Sequence, residues 1–439
     1  MEKKHINRRD FLRLAGLAAG SAIVAACSPG GATTQAPSAG GATQGATQAP
    51  SAGGGAVTLS QWYHQYGEEG TQQAVMRYAE EYHKVKPNVT VNVNWTPGDY
   101  GAKLNAALLT AEGPDVFESQ INADRVKQGQ LATLDDLFTE DLKKDFGSVI
   151  QQMTWQGHIY AVKMINDTAF IYYKKSLLDK AGVKPPTTAD ELIDVSKKLN
   201  QGGVKGLFIG NDGYGPWWNL GIWSTGETVV DGDKVGWTVD RVAKVYEKAR
   251  DLYKSDSLLI GAPADWWDPS AFTTGLCAMQ YCGLWAMPAI VKALGDDVGI
   301  LPWPKLDDQG RPATFLGGWA EFVSTKSKNV DEAKALVKWM WIDNKDIQTD
   351  WATAYGFHIP PRASATAAAA KLQSGLAAEG VKIAKETGQP ELLPTWTSDV
   401  TTPITDALGN IVLKNADAKT ELDAAHKKSE DALKKLFGG

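Results

Sequence analysis

Cysteine and histidine are scarce in this chain: three and six among 439 residues. No CxxC or HExxH occurs, and no histidines stand at metal-ligand spacing, so the sequence gives no reason to expect a metal. Two of the thiols, Cys277 and Cys282, lie in "LCAMQYCGLW", an apolar setting that raises a thiol pKa and argues against thiolate catalysis. On an extended strand they would stand about 17 Å apart, out of disulfide range unless the chain turns between them. A P-loop, a GxGxxG after a strand and a GxSxG elbow are also absent, so no cofactor is called for. Nor is there surplus positive charge. The formal net charge is -6, and loss of residues 1–26 would move it to -9. That balance argues against nucleic acid as a partner and against adhesion to anionic lipid by charge.

Long hydrophobic runs are missing as well. The longest uncharged apolar run near the start, "LAGLAAGSAIVAA" at 14–26, is too short for a bilayer, which takes about 20 residues. It follows a basic head containing Lys3, Lys4, Arg8, Arg9 and Arg13, and has the proportions of a signal peptide over 1–26. "NRRDFLRL" resembles a twin-arginine export signal, and "VAAC" at 24–27 resembles a lipobox that ends in a lipidated Cys27. Residues 28–56 carry no charge and repeat "TQAPSAGG" at 34–41 and 47–54. Such a segment buries too little apolar surface to offset its ordering entropy, which predicts a disordered tether over 27–56 with a reach of roughly 30 Å. The expected picture is lipid anchor, leash, and a domain on the outer face of the cell membrane or in the periplasm.

From Val57 onward strand and helix patterns alternate. "VTLSQW" reads as a strand, 71–86 as an amphipathic helix, "VTVNVNW" as a period-two strand and "PDVF" at 114–117 as a short buried one. The same grammar recurs in the helix opened by Thr188 and Glu191 at capping-box spacing, then in "GLFIG", "LCAMQY" and "EFVS". An α/β protein of two lobes fits this count. "VVDGDKVGW" reads as a hairpin turn, with a calcium loop as the weaker alternative.

All 16 tryptophans follow the tether. Trp62, Trp217, Trp218, Trp285 and Trp319 stand in loops expected at strand ends, whereas Trp223 is expected in the core. Sugar rings offer apolar faces and a hydroxyl rim, so a site for them needs aromatic plates with carboxylate, amide and arginine partners. Glu118, Gln120, Asn166, Asp167 and Arg362 supply those partners. Asp265 and Asp268 flank Trp266 and Trp267, which keeps an extracytoplasmic glycoside hydrolase as a second reading. A sugar sensor would share the same pocket.

"GPDVFES", "LATLDDLF", "GHIYAVKMINDTAFIYYKKSLLDKAGVKPPTTADELIDVSKKL", "GLCAMQYCGLWAM", "FLGGWAEFVSTKSKNVDEAKALVKWM" and "GFHIPPRAS" occur in an order that resembles the extracellular solute-binding proteins of carbohydrate ABC transporters, the family of maltose-binding proteins. The resemblance implies a two-lobed periplasmic-binding-protein fold of type II-like topology, with the lobes joined by a hinge of crossing segments. It implies one lobe from 57–165 plus about 315–360 and another from about 166–314 plus 361–439. It further implies a monomeric carrier that is not an enzyme, takes a carbohydrate ligand and has ABC permease subunits as partners. By position, Asn166 and Asp167 fall at the first crossing, Trp319 after the second and Arg362 after the third. Trp285 matches the family's stacking tryptophan, Glu118 another contact, Trp217 or Trp218 the aromatic loop and Trp396 a further aromatic. His64, Gly318 and Tyr355 complete the expected ligand-binding set. The chain departs from the family in having Tyr173 for a usual asparagine, and Tyr160-Ala161-Val162-Lys163 for a usual Tyr-Gly-Val-Pro.

Overall fold

Alternation builds the first strand. In β1 (Val57–His64) Leu59, Gln61 and Tyr63 are buried on one face, and the residues between them are half-buried. The computed structural model describes residues 55–438. The signal segment, Cys27 and nearly all of the tether lie outside the described residues. Helix α1 (Thr71–Val85) starts after Gly70, whose φ of 93° and approach to the Tyr355 ring, 2.9 Å from where a Cβ would stand, leave room for glycine alone. Its buried residues Thr71, Ala74, Val75, Tyr78, Ala79 and Tyr82 recur every three or four positions and so form one stripe. It ends at Val85, because Lys86 stands before Pro87, where helical backbone is disfavoured, and is extended at φ -127° and ψ 84°.

β2 (Val89–Thr96), α2 (Tyr100–Leu108), β3 (Val116–Ser119) and β4 (Ala161–Lys163) follow. β3 begins two residues later than "PDVF" predicts, because the Asp115 carboxylate accepts the Ser60 N–H at 2.8 Å and makes 114–115 a lead-in. The chain then lays down β5 (Ala169–Lys174), α3 (Ala189–Leu199), β6 (Lys205–Phe208), α4 (Val239–Lys254), β7 (Cys277–Gly283) and β8 (Val298–Leu301). Last come β9 (Thr314–Leu316), β10 (Ala320–Val323), α5 (Val330–Lys338), α6 (Lys345–Thr353), β11 (Gly388–Pro390), α7 (Ser398–Lys414) and α8 (Ala418–Gly438).

Two main sheets result, one per lobe, while β9 and β11 pair in a small sheet of their own. The first runs β2-β1-β3-β10-β4, parallel except at β10, which is antiparallel to β3 and β4. The second runs β8-β5-β7-β6. Because β10 is inserted into the first sheet after the second has been built, the chain passes between lobes three times, at 164–168, 317–319 and 354–361. The passages lie side by side, and the first is central. It bonds the second through Met164 N to Trp319 O (2.9 Å) and Gly317 N to Asp167 O (2.9 Å), and the third through Asn166 N to Ile359 O (2.8 Å) and its reciprocal at 3.0 Å. Gly318, at φ 96°, is the close approach that permits this; a Cβ there would stand 2.5 Å from Ile165 O.

Cys277 and Cys282 both lie on the extended β7, buried and unbridged, and burial pushes the Cys277 thiol up to about 12. "VVDGDKVGW" forms the predicted hairpin: Val230–Asp231 pairs with Lys234–Val235 around Gly232 at φ 61°. The capping signal at α3 is real but shared, since Thr188 Oγ1 accepts Glu191 N while the Glu191 carboxylate reaches back to Thr187. Among the described residues no helix is long and apolar enough to cross a membrane.

Candidate functional site between the lobes

The ends of β1 and β3 bring His64 and Glu118 together. Glu118 is fully buried; its carboxylate takes the His64 backbone N–H, faces His64 Nδ1 and accepts the Tyr66 hydroxyl at 2.7 Å. Most of its acceptor sites are thus used within the protein, and its effect is to fix the His64 ring, which stacks on half-buried Trp319 at 4.2 Å. An aromatic plate thus stands where the second passage enters the first lobe.

A second group spans the passages. His358 Nδ1 lies 2.5 Å from Asp167 Oδ1, and its Nε2 lies 3.2 Å from Glu68 Oε1. Burial works downward on the imidazole, but Asp167 and Glu68 outweigh it and push the pKa up to about 10. Burial likewise works upward on Glu68, and His358 holds that carboxyl below its usual range. The ring of Trp285, from the turn after β7, faces His358 almost parallel at 6.4 Å.

Lys163 ends β4 and is 3% exposed. Its Nζ donates to Gln152 Oε1 at 2.6 Å, and burial pushes it down to about 7 against the pull of Asp167 and Glu391. Across from it Glu391 accepts Asn219 Nδ2 at 2.7 Å, and burial pushes this acid up to about 7. The departure from the family's proline at 163 therefore places a buried cation among interlobe carboxylates.

The expected ligand set divides. His64, Glu118, Asn166, Asp167, Trp285, Gly318 and Trp319 gather around the passages. Gln120 and Trp396 line one cavity of 570 Å³ between Ser119–Arg125 of the first lobe and 392–396 of the second, and Trp218 meets Trp396 edge-on at 5.0 Å. Another groove, of 610 Å³, runs between α1 and β2 along Met76, His83 and Val91. It lies away from the passages and has no aromatic plate besides the His83 ring, so the interlobe space is the better candidate despite its smaller volume.

Four expectations are corrected. Trp217 is not a plate beside Trp218: residues Trp217–Gly221 form one wide π-helical turn, which sends Trp217 inward, 0% exposed and edge-on to Trp303 at 4.8 Å, and leaves its neighbour half-buried. Arg362 is 7% exposed and spent on Asp145 (2.9 Å) and Ile342 O (2.7 Å), which ties the third passage to the first lobe. Trp62 sits within β1 and donates its indole N–H to Ser60 on the same face at 3.0 Å. Tyr355 packs against Gly70 and bonds exposed Arg77 on the outside. Trp223, 2% exposed, is in the core as expected. Asp265 and Asp268 do not form a catalytic pair, for Asp265 accepts Asn211 N and Trp266 N, and Asp268 accepts Ser270 N.

Glu68, Lys163, His358 and Glu391 were not picked out from sequence. Two signals existed: "YGEEG" directly follows a strand end, where ligand groups gather in α/β folds, and Lys163 breaks a family pattern.

Known proteins resemble the chain in sequence and in fold. An ABC transporter extracellular-binding protein of Pyrococcus horikoshii is 32% identical over 160 residues, 34% of this chain and 36% of that protein. The chain spans only about a third to a half of the length of several curated relatives it matches. A galactooligosaccharide-binding protein of Bacillus subtilis is 25% identical over 74% of this chain and 79% of its own length. Among solved structures, the GacH receptor of Streptomyces glaucescens, determined unliganded and with acarbose, superimposes with a TM-score of 0.68 at 25% identity, covering 87% of this chain and 99% of that one. The model of the bacterial extracellular solute-binding protein family matches residues 66–340, more than half of the chain, and the protein belongs to that family.

Proposed function

We propose that the protein captures a neutral sugar or short oligosaccharide between its lobes and delivers it to the permease of an ABC importer. The observation that carries this is the pairing of half-buried indoles (Trp218, Trp285, Trp319, Trp396) with interlobe polar atoms that have no protein partner, Asn166 Oδ1 and Trp396 Nε1. Indole faces suit the apolar face of a sugar ring, and a buried polar atom gains most from a ligand hydroxyl. Closure follows from differential affinity: a ligand touching both lobes binds the closed arrangement more tightly and shifts the population toward it. The lobes that move are 57–165 with about 315–360, and about 166–314 with 361–439. Export by the signal at 1–26 and a lipid on Cys27 would hold this monomeric carrier on the outer membrane face, with the tether giving it reach to the permease.

Titration of residues 55–439 with a panel of sugars, followed by calorimetry and thermal melting, tests the reading. Saturable binding with a raised melting temperature is expected; a panel that leaves both unchanged sinks it. The tryptophan pair gives a finer check. Trp217→Ala should cost about 3–5 kcal/mol in urea unfolding, as loss of a buried indole does. Trp218→Ala should instead weaken sugar binding severalfold with a near-native unfolding midpoint, and equal stability losses from both would remove Trp218 from the site.

A further inference from the structure

β2 is an open edge of the first sheet, at the far side from β10 and β4, into which the passages run. The direction of its free groups follows from its parallel pairing with β1. Val57 N donates to Asn88 O and Gln65 N to Thr96 O, so the even-numbered residues of β2 turn their backbone groups toward β1 and the odd-numbered ones turn theirs outward. The outward carbonyl of Val89 is met by His83 Nδ1 at 2.6 Å. The backbone N–H and C=O groups of Val91, Val93 and Trp95 have no partner among the described residues. Edges of this kind are ordinarily blunted by lysine, proline, a bulge or brevity. β2 is eight residues long, "VTVNVNWT", and has none of these devices. Alongside it runs the groove of 610 Å³ on α1, where Met76 is 42% exposed. The ionisable side chains of that groove are Glu80, His83 and Lys84, one acid to one lysine, whereas the chain beyond residue 26 carries a net charge of -9. A copy of the chain is therefore repelled least at this face.

We propose that β2 pairs antiparallel with β2 of a second copy about a twofold axis at Val93, joining two first-lobe sheets into one. Centred there, Val91 stands opposite Trp95 of the copy and Val93 opposite Val93, so every free backbone group on both edges gains a partner. The same register sets Asn92 opposite Asn94 and Thr90 opposite Thr96. Amide then meets amide, hydroxyl meets hydroxyl, and valine meets tryptophan or valine, each a favourable cross-strand pair. One strand ladder is a small contact beside the roughly 1,600 Å² of a stable interface, so the carrier is a monomer in dilute solution. Copies pair where the proposed lipid on Cys27 holds them at one surface and raises their effective concentration toward roughly the millimolar range. Because the passages enter the sheet at its other side, pairing leaves both interlobe spaces open and does not depend on the sugar reading.

The experiment is sedimentation of the chain from residue 27 onward, carrying Cys27→Ser, between about 5 µM and about 1 mM. A monomer is expected at the low end and a majority of dimer at the high end. The double variant Asn92→Lys, Asn94→Lys sets lysine opposite lysine, and should abolish the dimer while keeping the melting temperature. Mixing it with Asn92→Glu, Asn94→Glu should restore the dimer. Register is read by disulfide formation: Cys277 and Cys282 are buried, so Asn92→Cys and Asn94→Cys each add the one exposed thiol. Only the 92–94 pair stands near a Cα separation of about 4.5 Å, so the mixed single variants should cross-link at least about tenfold more than either alone. A chain still monomeric near 1 mM, a dimer indifferent to the paired lysines, or cross-linking as strong in Asn92→Cys alone overturns the proposal. Should the lysine variant lose its fold, the cysteine mixture still decides.

Discussion

Trp285→Ala is expected to lower sugar affinity tenfold or more, about 1.4 kcal/mol or greater, while the melting temperature stays within about 3 °C of wild type. The asymmetry follows from how the indole is held. Trp285 is half-buried, its N–H is tied to the Trp267 carbonyl, and its ring folds back over Gly283, where a Cβ would stand 2.2 Å from the ring atoms. Gly283 has an ordinary φ of -75°, so the glycine is there for space and not for backbone freedom. Gly283→Ala must therefore swing the indole away from His358 without straining the chain, and it should reproduce most of the affinity loss with Trp285 still present. Calorimetry on the two single variants and the double variant decides it. Losses that add would mean two independent effects and a different role for the glycine.

Local pattern carried the reading of the sequence a long way, and then distance stopped it. β1, α1 and β2 follow from periods of two and 3.6 within a few residues, and the hairpin at Asp231-Gly232 from its turn chemistry. The interlobe charges have no such local signature. Glu68 and His358 are 290 residues apart, and Asp167 and His358 are 191 apart, so their meeting depends on the three passages and on no short-range spacing. Trp217 and Trp218 show the same limit at close range. Adjacent indoles in a glycine-rich stretch announce that one face matters, but which ring turns inward is set by a single wide turn that composition does not reveal. Lys163 was visible only as a departure from a pattern, and its consequence, a buried ammonium between lobes, appears only once Gln152 and Glu391 are seen beside it.

The His358 cluster gives an expected effect on stability as large as that of the buried Trp217. His358→Gln removes the cation bonded to both Asp167 and Glu68 and leaves two poorly solvated carboxylates facing a neutral amide, which should cost about 3–5 kcal/mol at pH 6. Its pH dependence has a definite sign. The folded pKa of about 10 lies above the unfolded 6.5, so the stabilisation is fully present below pH 6.5 and is lost as pH rises toward 10. Wild type alone would hide this. Lys163, depressed to about 7 from 10.5, contributes stability that grows over much of the same interval as its buried charge is discharged. The difference between wild type and His358→Gln removes the lysine's direct contribution, because both proteins carry it, and leaves only its coupling to His358 through the shared Asp167. Urea unfolding of the pair at pH 6, 8 and 10 should therefore show a gap that narrows steadily, and a gap independent of pH would mean that the imidazole is neutral in the fold. The residues concerned join the loop after β1 to the first and third passages. The same variant should accordingly loosen the hinge and weaken ligand binding at pH 6 more than at pH 10, a coupling that a purely local packing defect would not produce.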